Sequence, residues 1–225
     1  MIIAERKPVE EIKGFIRDKK RALLIGCRGC VTVCNAGGVK EVEILASLLR
    51  LDAKKDDVDL TVDELTLERQ CDPEYIEELA SLTGGKYDAI LSMACSIGPQ
   101  FIARRYPGEQ VYPVLNTCFL GGAMAHGIWA EHCQACGNCV IHLFGGLCPI
   151  ARCAKSLLNG PCGGSAGGKC EVSDQIDCVW HLIVAKHMEA GALDRLLEVD
   201  LLKDWRTSRD GGPRKITREE LVKND

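Results

Sequence analysis

Cysteine is the residue type that says most about the chemistry of this protein. The chain has 225 residues, and 14 of them are cysteines. This density is typical either of a disulfide framework in a secreted protein or of thiolate chemistry in a reducing compartment. The N-terminal run MIIAERKPVEEIKGFIRDKK lacks the apolar stretch of a signal peptide. We therefore expect a cytoplasmic protein whose cysteines are reduced and mostly bind metal.

The densest group of cysteines begins with Cys133-x2-Cys136-x2-Cys139, and Cys148-Pro149 follows it. Bacterial ferredoxins use this triple spacing to hold one [4Fe–4S] cluster, and a later Cys-Pro ligates another. A segment so rich in cysteine and glycine cannot build a large apolar core, so bound metal must supply folding free energy. The predicted ligands of this module are Cys133, Cys136, Cys139, Cys148, Cys153, Cys162, Cys170 and Cys178.

Zinc is the alternative metal for this module. Pairs of the form C-x2-C also build four-thiolate zinc sites, and eight thiols suffice for two zinc ions. Zinc ribbons usually have two separate pairs, whereas here one triple run is followed by single cysteines. We favour two iron–sulfur clusters, with one cluster plus zinc, or zinc alone, as alternatives. His126, His132 and His142 flank the module, and we expect all three to lie outside the ligand shell.

Apolar segments alternate with amphipathic ones in the first half of the chain. Strands separated by helices predict an α/β fold with a parallel, flavodoxin- or Rossmann-like sheet. We predict helices over 8–20, 39–50 and 73–82, and strands over 22–25, 58–62, 87–93 and 111–115. The predicted domains are an α/β domain (1–125), a small cysteine-rich iron–sulfur module (126–180) and a C-terminal helix with an extended tail (181–225).

The predicted strands are each followed by at least one cysteine. In open α/β sheets, ligands bind in the crevice beyond the carboxyl ends of the strands. We therefore predict one further cluster, whose ligands are Cys27, Cys30, Cys95 and Cys118. Cys34 is the first substitute, and both Cys34 and Cys71 are also explained as small core residues. A thioredoxin-like redox pair has the spacing of Cys27 and Cys30, but it leaves the later cysteines unexplained. The order of the strands cannot be read from the sequence.

Composition argues against several other classes of function. The net charge is −4 and aromatic residues make up 5% of the chain, so neither a basic surface nor a stacking platform indicates nucleic-acid binding. No stretch approaches the ~20 apolar residues that a transmembrane helix needs. No complete G-x-G-x-x-G or P-loop pattern supports a bound nucleotide.

Two segments of the sequence resemble a known family. They are HCQACGNCVIHLFGGLCPIARCAKSLLNGPCGGS, in which NGPCGG is the most specific part, and GCRGCVTVCNAGG. Both are similar to the MetV-type small-subunit family of methylenetetrahydrofolate reductases, which is related to the C-terminal region of methylenetetrahydrofolate reductase-like proteins. With both segments, the resemblance covers nearly the whole chain.

The resemblance implies an electron-transfer subunit that is not itself catalytic. In that family a MetF-like flavoprotein partner reduces 5,10-methylenetetrahydrofolate to 5-methyltetrahydrofolate, a step of one-carbon metabolism in the Wood–Ljungdahl pathway. The small subunit is expected to carry two to three [4Fe–4S] clusters, or clusters together with zinc, while the flavin belongs to the partner. Ferredoxin or another electron-donating module would supply the electrons. The family pattern supports the eight cysteines of positions 133–178 as metal ligands.

The remaining predictions are two alternative functions and the structure of the C-terminal segment. The chain could instead be a zinc-stabilised interaction module, or an iron–sulfur protein of another corrinoid or one-carbon redox system. Apolar spacing predicts a helix over 180–202. The polar tail after it is either disordered or an ordered segment that clasps a partner, with Trp205 and Ile216 as its anchors.

Overall fold

The computed structural model describes residues 1–200 and 202–222. Position 201 of the predicted helix and positions 223–225 of the predicted tail lie outside the described residues. The chain divides into two compact units, 1–130 and 131–225. We call them the α/β unit and the cysteine-rich unit.

A parallel sheet of four strands organises the α/β unit, so the predicted parallel sheet is confirmed. The sheet order is β3-β2-β4-β5, and each neighbouring pair is parallel. The elements up to the boundary between the units are β1 (Ile2–Arg6), α1 (Val9–Phe15), β2 (Arg21–Cys27), α2 (Cys30–Val33), α3 (Val39–Lys55), β3 (Thr61–Leu67), α4 (Pro73–Ile76), a 3-10 helix (Glu77–Ser81), β4 (Ala89–Met93), α5 (Ile97–Arg105), β5 (Val111–Pro113), β6 (Leu115–Ala125) and β7 (Ile128–Cys133), which crosses the boundary.

The central strand β2 is buried because both of its faces are covered. Leu24 belongs to one apolar cluster together with Leu45 of α3. Leu23 and Ile25 point to the opposite face and belong to a second cluster, which includes Ile102 of α5. Successive side chains of a strand alternate between faces, so one continuous apolar run serves both clusters.

The predicted strand over 111–115 proves to be two strands in two sheets. β5 ends at Pro113 in the parallel sheet, whereas β6 begins at Leu115 in a separate sheet of order β1-β6-β7. β1 pairs with β6 in antiparallel orientation, with Ala4 opposite Thr117. Neither β1 nor α5 was predicted from the sequence. The reason is that β1 lies among charged residues and its apolar face becomes evident only once β6 is known to be its partner.

The cysteine-rich unit contains short elements. After β7 these are a 3-10 helix (Ile141–Phe144), α6 (Pro149–Arg152), β8 (Lys169–Cys170), β9 (Ser173–Asp177), α7 (Val179–Glu189) and 3-10 helices at Leu193–Leu197, Trp205–Thr207, Arg209–Gly211 and Glu219–Leu221. Helix α7 is shorter than the predicted helix over 180–202. It ends because Gly191 adopts a left-handed conformation with φ of 62°. No helix in the described part of the chain has the length and apolar character needed to cross a bilayer.

Candidate thiol sites

The strand order places the carboxyl ends of β2 and β4 side by side. The chain leaves β2 for β3 on one side of it and then crosses to β4 on the other side. This reversal is a topological switch point, and in open α/β sheets ligands bind in the crevice beyond it. Gly26 is the register partner of Met93. Cys27 and Cys95 therefore follow adjacent strands at the switch point.

The loop that carries Cys27 and Cys30 is held by backbone and hydroxyl hydrogen bonds. Cys27 is buried as the last residue of β2, and Cys30 is the first residue of α2. The backbone N–H of Cys27 donates to the carbonyl of Gly37 at 2.9 Å. The hydroxyl of Thr32 donates to the carbonyl of Cys27 at 2.7 Å. These bonds give the two thiols a defined position at the end of the strand.

A fully buried glutamine ties the two strand ends together. The Nε2 of Gln70 donates to the carbonyls of Ile25 and Gly26, at 2.8 and 2.9 Å. Its Oε1 accepts a hydrogen bond from the hydroxyl of Ser92 on β4, at 2.6 Å. The next residue in the chain is Cys71. This arrangement was not predicted from the sequence. The signal that could have indicated it is the polar residue Gln70, which stands directly before a cysteine that follows a strand.

Nearby thiols affect the pKa of two cysteines at this edge of the sheet. The pKa of Cys71 is raised, first by desolvation and then by repulsion from Cys27, Cys95 and Cys30. The pKa of Cys95 is also raised, first by burial, and repulsion from Cys27 and Cys30 adds to this. Backbone donors at Gly98 and its neighbour partly oppose that rise. We call Cys27, Cys30, Cys71 and Cys95 the switch-point thiols.

Cys118, which was predicted as a ligand of this cluster, has different neighbours. It is an exposed residue of β6, and its Sγ donates to the carbonyl of Asn116 at 3.6 Å. Its pKa is raised by desolvation first, and then by the carboxylate of Glu5 and the thiol of Cys34. Cys34, the predicted substitute, is buried and directs its Sγ toward the carbonyl of Ala4 at 3.8 Å. The electrostatic neighbours thus group Cys71 and Cys95 with Cys27 and Cys30, and they group Cys118 with Cys34.

In the cysteine-rich unit, the predicted triple run forms a tight loop. Ala135 and Gly137 both have positive φ, of 50° and 80°. The backbone N–H of Ala135 donates to the Sγ of Cys133 at 3.3 Å. The left-handed residues bend the chain so that Cys133, Cys136 and Cys139 lie on a single short loop.

Two further sulfur atoms of this unit accept hydrogen bonds from the backbone. The N–H of Ala151 donates to the Sγ of Cys148, and the N–H of Gly164 donates to the Sγ of Cys162, each at 3.4 Å. Such bonds stabilise thiolates and tune iron–sulfur centres. Together with the bond to Cys133, they mark three of the eight predicted ligands as sulfur acceptors.

Four cysteines of this unit line one small cavity of about 20 Å³. They are Cys153, Cys162, Cys170 and Cys178. Arg152 and Lys155 also line the cavity, and Lys155 forms an ion pair with Glu171. The sequence alone left the division of the eight cysteines open. The cavity groups these four, and it leaves the triple run and Cys148 as the other four.

The predicted tail is ordered where it contacts the triple-cysteine loop. The hydroxyl of Thr207 donates to the carbonyl of Cys136 at 2.8 Å. The guanidinium of Arg214 donates to the carbonyl of Ala135 at 2.7 Å. We call residues 203–214 the clasp segment, because they hold the loop at positions 135–138. Trp205 is 39% exposed and Ile216 is 78% exposed, so both predicted anchors present apolar surface.

All fourteen cysteines are free thiols. Within residues 1–200 and 202–222, no three or more histidine, cysteine, aspartate or glutamate side chains are arranged to hold a metal ion. The grouping of the thiols, rather than ligand geometry, is therefore the observation that bears on metal binding.

Comparison with known proteins identifies one similarity. Residues 112–206 match the family described as methylene-tetrahydrofolate reductase C terminal. No curated protein and no solved structure matches the chain. The matched region contains all eight cysteines of positions 133–178, and it excludes the switch-point thiols. The similarity supports a relation to methylenetetrahydrofolate reductases, which is a coarser statement than membership of the MetV-type small subunits.

Proposed function

We propose that this chain is an iron–sulfur electron-transfer subunit of a methylenetetrahydrofolate reductase complex. In this proposal it delivers electrons to the flavin of a MetF-like partner and takes them from ferredoxin or a similar donor. The observation that carries the proposal is the gathering of free thiols into separate groups, in a chain whose residues 112–206 resemble a methylenetetrahydrofolate reductase region.

The chemistry of the donor set fits iron–sulfur clusters. Thiolates are the usual protein ligands of these clusters, and four are needed for a [4Fe–4S] centre. Burial first, and then nearby thiols, raise the pKa of Cys71 and of Cys95, so these two groups are repelled by neighbouring thiolates when they ionise. A bound cation relieves that repulsion, which is why metal binding favours the thiolate.

Three groups of four ligands follow from the placement of the thiols. One is the group of switch-point thiols. The second is the triple run with its nearest following cysteine, and the third lines the small cavity of the cysteine-rich unit. The last two groups are Cys133, Cys136, Cys139 and Cys148, and then Cys153, Cys162, Cys170 and Cys178.

In the proposed mechanism the chain positions and insulates its clusters but transforms no substrate. Such clusters, when bound, exchange one electron at a time, and a partner flavin can combine two of these exchanges into a hydride-level reduction. The backbone N–H groups of Ala135, Ala151 and Gly164 would stabilise the ligand thiolates. Residues of the clasp segment would restrict access of water to the triple-cysteine loop.

A zinc-stabilised interaction module is the second candidate function. The size of the thiol-lined cavity favours it, because about 20 Å³ is room for little more than one water-sized sphere. A single zinc ion needs less space than a four-iron cluster. An iron–sulfur protein of another corrinoid or one-carbon system is distinguished from the first candidate by its partner only.

Metal analysis of the full chain, purified without oxygen, tests the proposal. About twelve irons with matching sulfide are expected for three clusters. About eight irons with one zinc would keep the electron-transfer role and assign zinc to one group of thiols. Zinc without iron would contradict the proposal.

Electron delivery is tested separately with a MetF-like flavoprotein. The chemically reduced chain is mixed with the oxidised flavoprotein, and bleaching of the flavin absorbance is followed. We expect rapid bleaching with the iron-loaded chain and none with the chain from which iron has been removed. Equal bleaching in both cases would contradict the relay, even if the iron content is as expected.

A further inference from the structure

We propose that Cys71 completes the N-terminal ligand set, so that one cluster is held by Cys27, Cys30, Cys71 and Cys95, and that Gln70 is the residue that positions Cys71. This inference rests on the proposed iron–sulfur function, and it places Cys118 outside that set. The four residues lie outside the region that matches the reductase family, so the inference comes from the fold of this chain.

The sheet brings three strand ends together at one edge. β2 lies between β3 and β4, and Cys27 is the register partner of Leu67 at the end of β3. Cys71 follows Leu67 by four residues, and Cys95 follows the end of β4 by two. Parallel strands end on the same edge of the sheet, so the segments that carry these three cysteines start side by side.

Cys118 is carried by a different sheet. β6 is antiparallel to β1, and the register partners on either side of Cys118 are Ala4 with Thr117 and Ile3 with Phe119. Its electrostatic neighbours are Glu5 and Cys34. Thr117, next to Cys118, accepts a hydrogen bond from the backbone N–H of Ser96, next to Cys95, at 2.8 Å. The segment that carries Cys118 thus passes the end of β4, but the Cys118 thiol has Cys34, and none of the switch-point thiols, as its electrostatic neighbour.

Gln70 gives Cys71 a fixed starting point. Its side chain is wholly buried, and its amide bonds to both β2 and β4. Gly98 packs against it so closely that a Cβ at position 98 would lie 2.9 Å from the Cβ of Gln70. A glutamine held by three hydrogen bonds and tight packing cannot shift without disturbing both strands. The backbone that leads to Cys71 is thereby anchored beside the ends of β2 and β4.

The electrostatic neighbours of Cys71 are consistent with the placement that the strand order and Gln70 give it. The neighbours that raise the pKa of Cys71, after desolvation, are the three other switch-point thiols. Cys71 is itself exposed, whereas Cys27 and Cys95 are buried. A cluster site explains this proximity, because four thiolates must surround one inorganic core.

Cysteine alkylation of the iron-loaded wild-type chain tests the ligand set without any risk of misfolding. The chain is treated with iodoacetamide without oxygen, before and after iron is removed with a chelator, and labelled peptides are quantified by mass spectrometry. We expect Cys71 to be protected until the iron is removed, and Cys118 to react in both states. Ready labelling of Cys71 in the loaded protein would overturn the assignment.

Two serine variants of the full chain provide the matched comparison. Cys71→Ser should lower the iron content by about four per chain, or leave a three-iron centre with its own electron paramagnetic resonance signal. Cys118→Ser should keep the wild-type iron content and spectrum. Loss of a cluster in Cys118→Ser, or wild-type iron and spectrum in Cys71→Ser, would overturn the assignment.

The role of Gln70 is tested by Gln70→Glu, with Ser92→Ala as the control variant. Gln70→Glu removes the donor to β2 but keeps the size of the side chain, whereas Ser92→Ala removes only the bond to β4. We expect Gln70→Glu to change the resonance spectrum of the cluster that depends on Cys71, and to leave the other signals as they are. A folded Gln70→Glu chain with a wild-type spectrum would refute the positioning role.

Failure of this inference can be told apart from failure of the proposed function. If the ligand assignment is wrong, iron remains in Cys71→Ser while the wild-type chain still bleaches the partner flavin. If the function is wrong, the wild-type chain binds iron through Cys71 but does not reduce the flavin.

Discussion

The two units of this protein hold their thiols by different physical means. In the α/β unit, two apolar clusters on the faces of a parallel sheet support the ends of the strands that carry cysteines. The cysteine-rich unit has one smaller buried cluster, whose members are Phe144, Val179, Trp180 and Ile183. We expect the first unit to fold around its core, and the proposed function requires bound metal to stabilise the second unit.

The local environment of the sulfur atoms differs in the same way. Cys27 and Cys95 are buried at strand ends, where hydrogen bonds of the sheet place them. Cys133 is the last residue of β7 and Cys162 lies on a loop; both are exposed, and single backbone N–H groups approach their sulfur atoms. We therefore expect the two units to respond very differently to removal of metal.

Removal of metal should have the largest effect, and it should act on the folding of one unit only. A chelator should unfold the cysteine-rich unit and leave the α/β unit folded, because structural metal sites in small domains are worth roughly 10–16 kcal/mol. Amide hydrogen exchange, read separately for 1–130 and 131–225, measures this. Equal loss of protection in both units would show that they do not differ in their dependence on metal.

A core variant of the α/β unit should have the next largest effect. Leu24→Ala removes a fully buried side chain and should destabilise that unit by about 2–5 kcal/mol. The measurement is urea unfolding of the iron-loaded chain, followed by hydrogen exchange of β2. Exposed Leu51 offers the control, since Leu51→Ala should change the stability by less than about 0.5 kcal/mol. Similar effects of both variants would contradict the assignment of the core.

A glycine variant examines the clasp segment of the cysteine-rich unit. At Gly137, φ is positive and a Cβ would overlap the carbonyl of Thr207, whereas at Gly146 φ is also positive but the space is open. Gly137→Ala should therefore cost about 1–3 kcal/mol, and more than Gly146→Ala. Limited proteolysis after residue 203 measures release of the segment. If the two variants are cleaved equally, the contact between the segment and the loop is not important for stability.

The smallest expected effect is on the pH dependence of the stability of the α/β unit. The carboxylate of Asp88 accepts hydrogen bonds from the backbone N–H groups of Lys20 and Arg21, both at 2.9 Å, and these bonds lower its pKa. A lowered pKa in the folded state means that the stabilisation is present above the ordinary pKa of aspartate and is lost as the pH falls through the folded value.

In Asp88→Asn, the stability of the α/β unit should consequently fall less steeply as the pH is lowered. The stability of the cysteine-rich unit should be unchanged. Asp59 is an exposed aspartate and serves as the control position in thermal unfolding between pH 3 and 6. If the stability of Asp88→Asn falls as steeply with decreasing pH as that of the wild-type chain, these hydrogen bonds do not contribute to the pH dependence of stability.

Much of the fold could be predicted from local patterns. Helix α3 was expected because Val42, Leu45 and Leu49 recur at helical spacing, and all three are buried. The strand at 22–25 was expected from its unbroken apolar run, and β2 contains it. The prediction of a single strand over 111–115 was wrong, because Leu115 begins β6 and takes its partner from β1, which lies more than 100 residues away in the sequence.

The spacing of cysteines in the sequence determined which residues we predict to bind metal. Only the tertiary structure decided which thiols meet. Cys71 joins Cys27 and Cys95 because the strand order puts β2 between β3 and β4, and because Gln70 bonds across two of those strands. Cys118 has Glu5 and Cys34 as its electrostatic neighbours because β6 pairs with β1. Local spacing sets what a short loop can hold, whereas the order of parallel strands depends on pairing between distant segments.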